Sequence, residues 1–228
     1  DHLVRFAKEL EISLELRFCT SRKSAQELYE LAKYLGKNII IISDMYLPRE
    51  IIERILHQNG YTEYERLYVS SEIRLTKHHG DLYQYVLQDL KIKPDSMIHI
   101  GDNWHDDHIN AGKYGIRSCF YPKAISVLMG EIQGTLSNHF HQIFDSVNGF
   151  ADHRHSWDYF GLRTMLAVVT NRYFDNPLRQ FNCNSHFNVD PYFIGSFALG
   201  MNLLGVGLWL MEHVQRNNYE TIHFVARD

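Results

Sequence analysis

Between residues 38 and 121 short apolar runs alternate with amphipathic stretches, and few folds accommodate that alternation. Ile39 to Ile42 is an unbroken isoleucine run, the chemistry of a strand buried on both faces. Leu67-Tyr68-Val69, Met97 to Ile100 and Arg117 to Tyr121 read as three further short strands. Around and between them apolar residues recur at spacings of three and four. Ala25, Leu28, Leu31, Ala32 and Leu35 predict a helix over 23–36, stopped by Gly36. Pro48 opens a second helix and Gly60 closes it. Leu82, Tyr83, Val86, Leu87 and Leu90 line one side of a third over 81–90, and a fourth runs from about Asp107 to Lys113. Strands separated by helices run parallel, with the crossovers packed on the sheet faces. The expected fold class is therefore α/β, a parallel, doubly wound, Rossmann-like sheet with helices on both faces. Ligands of such sheets bind beyond the carboxyl ends of the strands. The polar residues at those ends are Ser43-Asp44, Ser70-Ser71 and Gly101-Asp102.

After Tyr121 the alternation stops. Residues 123–155 read as irregular or helical connection, and from about Trp157 the pattern is helical, closing in a strand over Thr221 to Ala226. The expected organisation is a first segment 1–22, an α/β core over 23–150, and a mostly helical segment 151–228 that begins a second domain. Tyr192 to Met211 carries no charge over twenty residues, a length that could span a bilayer. Asn202, four glycines at 195, 200, 205 and 207, and the absence of a close Lys/Arg cluster argue instead for a helix buried in the second domain, with no membrane span.

Composition narrows the partners. Of 228 residues 45% are apolar and 22% charged, which is ordinary for a globular chain. A formal net charge of −4 without a basic stripe excludes a nucleic-acid surface and leaves a small anionic substrate open. Cys19, Cys119 and Cys183 form no CxxC pair, so a reducing, cytoplasmic setting is expected. No signal peptide opens the chain, and because it starts at Asp1 and stops in what reads as a strand it is read as a fragment of a longer protein. The sequence sets no oligomeric state. Eight of the fourteen histidines fall in four pairs, 78/79, 105/108, 139/141 and 153/155, and none of these has a matched second pair at zinc-finger spacing. No dedicated histidine metal site is expected, although His105 or His108 would line a pocket beside Asp102.

The strongest chemical signal is Ile98-His99-Ile100-Gly101-Asp102-Asn103-Trp104-His105-Asp106-Asp107. A buried strand ends in Gly-Asp, and a second acidic residue follows where a helix begins. Gly101 allows the backbone close to a ligand. Asp102 and a second carboxylate then suit one hard cation with oxygen ligands. The plainer reading is a helix N-cap with acidic residues favoured by the dipole. Two further motifs favour the chemical reading. Ser43 ends the isoleucine strand, where its hydroxyl can reach a phosphate oxygen. Lys77 opens a helix 25 positions before Asp102 and can point back to the same pocket.

Over roughly residues 30–122 this set resembles the haloacid dehalogenase superfamily, mostly phosphatases and phosphotransferases. Its second motif is matched by Ser43, its third by Lys77, and its fourth by Gly101, Asp102 and either Asp106 or Asp107. Asp107 is favoured, because Asp107, Ala111 and Gly115 fall where the family has Asp, a small residue and Gly. The resemblance implies that Ser43 and Lys77 bind the phosphoryl group, Lys77 acts in catalysis, and Asp102 with Asp107 or Asp106 holds Mg2+. It implies a small phosphorylated substrate and an aspartyl-phosphate. The family's first motif, a strand ending Asp-x-Asp, is not found, so the nucleophile is expected upstream and residues 1–22 as the end of a helical cap. Ser43-Asp44-Met45-Tyr46-Leu47 and the closing Phe224-Val225-Ala226-Arg227-Asp228 resemble a two-unit subfamily associated with polysaccharide biosynthesis and glycosyltransferases. In that picture Ala226 takes the nucleophile place of a second unit and Asp228 its acid/base place. The alternative is a regulatory or scaffolding module that keeps fold and pocket without turnover. A receiver domain fits poorly, since its acidic pair would precede the Ser/Thr and Lys.

Overall fold

The structure is a computed structural model that describes residues 2–128, 157–179 and 190–223. It divides into two units, the first Asp1–Val127 with Asp175–Pro177 and the second Leu128–Phe174 with Leu178–Asp228. The stretch around residue 150 and the closing Phe224 to Asp228 lie outside the described residues.

The first unit runs α1 (His2–Phe18), α2 (Lys23–Tyr34), β1 (Ile40–Ser43), α3 (Arg49–Gln58), β2 (Arg66–Val69), α4 (Ser70–Ile73), α5 (Asp81–Leu90), β3 (Ile98–Gly101). A wide π-type turn over Trp104–Asn110 then leads into α6 (Ala111–Lys113), β4 (Arg117–Phe120) and α7 (Ala124–Leu128). β1 pairs in parallel with β2, with Ile41 opposite Leu67 and Ser43 opposite Val69. β3 pairs in parallel with β4, with Ile98 opposite Arg117 and Gly101 opposite Phe120. Among the described residues each strand has one hydrogen-bonded neighbour, so the sheet is two parallel pairs rather than one ladder of four.

The period of two decides what each strand buries. Ile41, Leu67 and Val69 face Ile51 and Ile52 of α3. Ile40, Ile42 and Tyr68 face Leu82 and Val86 of α5. The same Ile40 and Ile42 join Tyr83, Met97, Ala111 and Ile116, so α5 covers both strand pairs from one face. Leu82, Tyr83 and Val86 are all fully buried. Burying each such side chain contributes about 1.5–3 kcal/mol, which makes α5 the element that joins the pairs. On the opposite face of β3, Ile98 and Ile100 remain exposed. α1 buries no residue and meets this core through Ile12 and the Tyr46 to Glu11 hydrogen bond at 2.6 Å.

The start of α2 is held from far along the chain. Arg22, its N-cap residue, gives no side-chain cap. Asp175 supplies it, accepting from the Ser24 N–H at 2.7 Å and from Arg22 Nε at 2.9 Å. Arg22 also donates to the Pro122 carbonyl at 2.7 Å and lies over the Tyr121 ring. Burial acts to raise the Asp175 pKa, but the Arg22 and Ser24 hydrogen bonds outweigh it and hold the carboxyl below the ordinary range.

In the second unit α8 (Trp157–Tyr173) is followed by α9 (Pro191–Asn217). Asp190 caps α9 by accepting from the Tyr192 N–H at 2.9 Å, and Pro191 fills its first position. Phe193 packs edge-on against Tyr173, 4.8 Å between ring centroids, and against Phe174. The helix expected at Tyr192 to Met211 is present, but its expected burial is corrected. Only 6% of its most apolar window is buried, and Leu203 is 71% exposed. The reason is its all-round apolarity: Leu203, Leu204, Val206, Leu208, Trp209 and Met211 occupy every side, and among the described residues all of them stay exposed. At 27 residues and a mean hydropathy of 1.7, α9 is long and apolar enough to cross a membrane by length and composition. Residues 221–223 form no strand.

Candidate functional site

The carboxyl ends of β1 and β3 are tied to one loop. β1 ends at Ser43, and the carboxylate of Asp44 accepts from the backbone N–H of Lys77 at 2.9 and 3.0 Å and of His78 at 3.3 Å. The backbone of Lys77 is thereby anchored at the end of β1. Ser70 and Ser71, at the end of β2, donate to the carbonyls of Met45 and Leu47 and so hold the segment after Asp44. An open depression of about 470 Å³ lies beside them, lined by Asp44, Met45, Tyr46, Ser70, Ser71, Arg74 and Thr76. Arg74 sits in the left-handed region at φ 62°, a conformation a bulky residue rarely holds. It turns the chain out of α4 toward Lys77.

The Lys77 side chain crosses to the end of β3, where Nζ donates to Asp107 Oδ1 at 2.6 Å. Asp107 is 2% exposed and has both oxygens engaged. Oδ1 also takes His99 Nε2 at 2.8 Å, and Oδ2 takes the Asn103 N–H at 2.9 Å. Burial acts to raise the pKa of Asp107, but the His99 hydrogen bond and the Lys77 charge together hold it well below the carboxylate range. Gly101 makes this possible, because a Cβ there would overlap the Asp107 carboxyl. His99 is the inward residue of β3 and packs edge-on against Tyr83 at 5.2 Å. Burial, then the nearby Asp107 charge, push the Tyr83 hydroxyl pKa up, and that hydroxyl donates to the Asp106 carbonyl at 3.0 Å.

The helix-cap role belongs to Asn103, whose Oδ1 accepts from the N–H groups of His105 and Asp106, each at 3.0 Å. Asp102 is left unencumbered. Among the described residues its carboxylate has no hydrogen bond and one loose ion pair, with Lys123 at 3.8 Å. An outward-facing, hard oxygen donor with half its side chain exposed suits a magnesium ligand. Asp106 faces elsewhere: Oδ1 accepts from His78 at 3.0 Å and His105 at 2.8 Å, and Oδ2 from Asn103 at 2.8 Å.

Of the residues singled out in the sequence, Lys77 meets Asp107 directly, while Ser43 and Asp102 stand at the two strand ends that Lys77 links. Asp44 was expected only as a strand-end residue, and two functional neighbours, His99 and Asn103, had no role assigned from the sequence. His99 had a signal, since one polar residue between Ile98 and Ile100 must face the opposite side of the strand.

A family model described as haloacid dehalogenase-like hydrolase matches residues 2–108. No curated protein matches the chain. The matched residues carry Ser43, Lys77, Gly101, Asp102 and Asp107 in one parallel-stranded unit. The match over residues 2–108, a little under half of the chain, supports membership of the haloacid dehalogenase superfamily and a general phosphohydrolase-type function.

Proposed function

We propose that the intact protein cleaves or transfers phosphate from a small phosphate monoester through an aspartyl-phosphate. Magnesium is held at Asp102, and the nucleophilic aspartate lies on a strand outside residues 1–228. The observation that carries this reading is the placement of Lys77. Its ammonium is fixed on a buried carboxylate at the strand ends, and an ammonium has three donors, of which Asp107 takes one. The remaining donors suit the negative charge of a nucleophile and a phosphoryl group. Asp107 therefore positions Lys77, and Asp102 is the metal ligand we assign. Ser43, at the end of β1, orients phosphoryl oxygens. Bound magnesium would supply charge neutralisation at those oxygens.

The two strand pairs support the location of the missing nucleophile. β1 and β3 each have one unpaired edge among the described residues and lie under the same helix, α5. A further parallel strand between them would satisfy both edges and end beside Lys77. The depression lined by Arg74, Ser71 and Thr76 would take the rest of the substrate. Membership of the polysaccharide-associated two-unit subfamily and a cytoplasmic setting belong to the same proposal, on Ser43 to Leu47 and on the cysteine usage.

The test is phosphate release from an aryl phosphate with excess magnesium. The intact protein should turn over, and Asp102→Asn or Lys77→Ala should each cost at least ~100-fold. Residues 1–228 alone should release none. Turnover by residues 1–228 would place the nucleophile within them. Activity of the intact protein that survives Asp102→Asn would remove the metal assignment. An intact protein that binds magnesium without turnover would be the regulatory module instead.

A further inference from the structure

We propose that His78, His105 and Asp106 form a binding site for one transition-metal dication of the zinc class, separate from Asp102. One ligand atom of each lies within 4.8 Å of the others. The three come from two segments that are distant in sequence, the loop after α4 and the wide turn after β3. Sequence spacing therefore gave no sign of them.

The donor set is held in place before any metal arrives. The His78 carbonyl accepts from Asn110 Nδ2 at 2.6 Å, and its N–H is on Asp44. Asn103 Oδ1 holds the backbone of His105 and Asp106, while Asn103 Nδ2 orients the carboxylate through Oδ2. Such outer hydrogen bonds fix the direction of first-row metal ligands. Both imidazoles aim Nδ1 at the same oxygen, Asp106 Oδ1, so two N–H groups now share one acceptor. A dication placed among the three would replace both shared protons. Each neutral imidazole keeps its single proton, moved from Nδ1 to Nε2, and the nitrogen lone pair binds the metal.

The two nitrogen-to-oxygen separations need little adjustment. Tetrahedral zinc with bonds of about 2.0–2.1 Å separates its ligand atoms by about 3.3 Å, a few tenths more than the present 3.0 and 2.8 Å. The side chains of His78 and His105 are 63% and 55% exposed, so the rings are free to swing by that amount. Two nitrogens and one carboxylate favour zinc, nickel, copper or cobalt over magnesium. Because His78 follows Lys77 and Asp106 precedes Asp107, the ion would bridge the two segments that carry the Lys77 to Asp107 pair.

The test uses metal-free protein titrated with Zn2+ alone by calorimetry, and with Co2+ by visible absorption. The expected result is one high-affinity equivalent that excess Mg2+ does not displace, with a tetrahedral-type Co2+ spectrum. His78→Ala and His105→Ala should each weaken it at least ~100-fold, whereas Asp102→Asn should leave it unchanged. Both histidines are exposed, so the variants should fold, which circular dichroism checks. A double His78→Ala, His105→Ala variant that still binds one equivalent with wild-type affinity overturns the site and places the ion on other histidines. Loss of zinc binding in Asp102→Asn overturns its separateness from the phosphate site. Neither outcome depends on turnover.

Discussion

Lys77→Met removes the ammonium from Asp107 and keeps much of the stem's volume. The pair is short, 2.6 Å, with side chains 14% and 2% exposed, so water is a poor substitute for either partner. Removing one member of a buried pair costs about 3–5 kcal/mol when nothing else compensates. Here His99 Nε2 at 2.8 Å and the Asn103 N–H at 2.9 Å still serve the carboxylate. The expected loss is therefore below that range, about 2–3 kcal/mol. Asp107→Asn leaves an ammonium on a flexible stem that can turn toward solvent, and about 1–2 kcal/mol is expected. The double variant should lose less than the sum, with a coupling of about 1–2 kcal/mol. Because the chain has two units, a single melting curve mixes them. Hydrogen exchange at the β2 and β3 amides reports the first unit alone. Additivity within about 0.5 kcal/mol would refute the reasoning, since Lys77 would then not be what keeps Asp107 charged inside the fold.

Two further outcomes test the scaffold. Asp107 and Asp175 both have folded pKa values below the ordinary 3.9 or so, so their contribution is fully present above that value and is lost as pH falls through the folded values. Denaturant midpoints should change little on account of these groups from about pH 7 to 5 and drop below about pH 4; Asp175→Asn should flatten that acid limb, and an unchanged limb would count against the Asp175 cap. Leu82→Ala, at a fully buried position, should destabilise the first unit by about 2–5 kcal/mol, against less than about 0.5 kcal/mol for Leu31→Ala on the exposed side of α2. Equal effects on hydrogen exchange would show that α5 does not join the strand pairs.

The elements themselves were legible in the residues. The helix over 81–90 occupies Asp81–Leu90, the isoleucine run holds β1, and Gly36 and Gly60 lie just past their helices at positive φ. Local periodicity and stop residues act over a few positions, and the chain carries that information wherever it folds. Ser43 ends β1 and Asp102 follows β3, the places that a parallel topology gives to polar residues.

Partners were another matter. The sequence allowed Asp107 to bind metal, and the structure closes it around Lys77, His99 and the Asn103 N–H. Asp175 caps a helix that begins about 150 residues earlier, and His78 meets His105 across two loops. The apolarity of α9 spoke for burial somewhere, yet among the described residues it stays exposed. Periodicity tells an element which side to bury but not against what. Which groups meet is set by strand register and by how the loops close, and those are settled only when distant segments pack together.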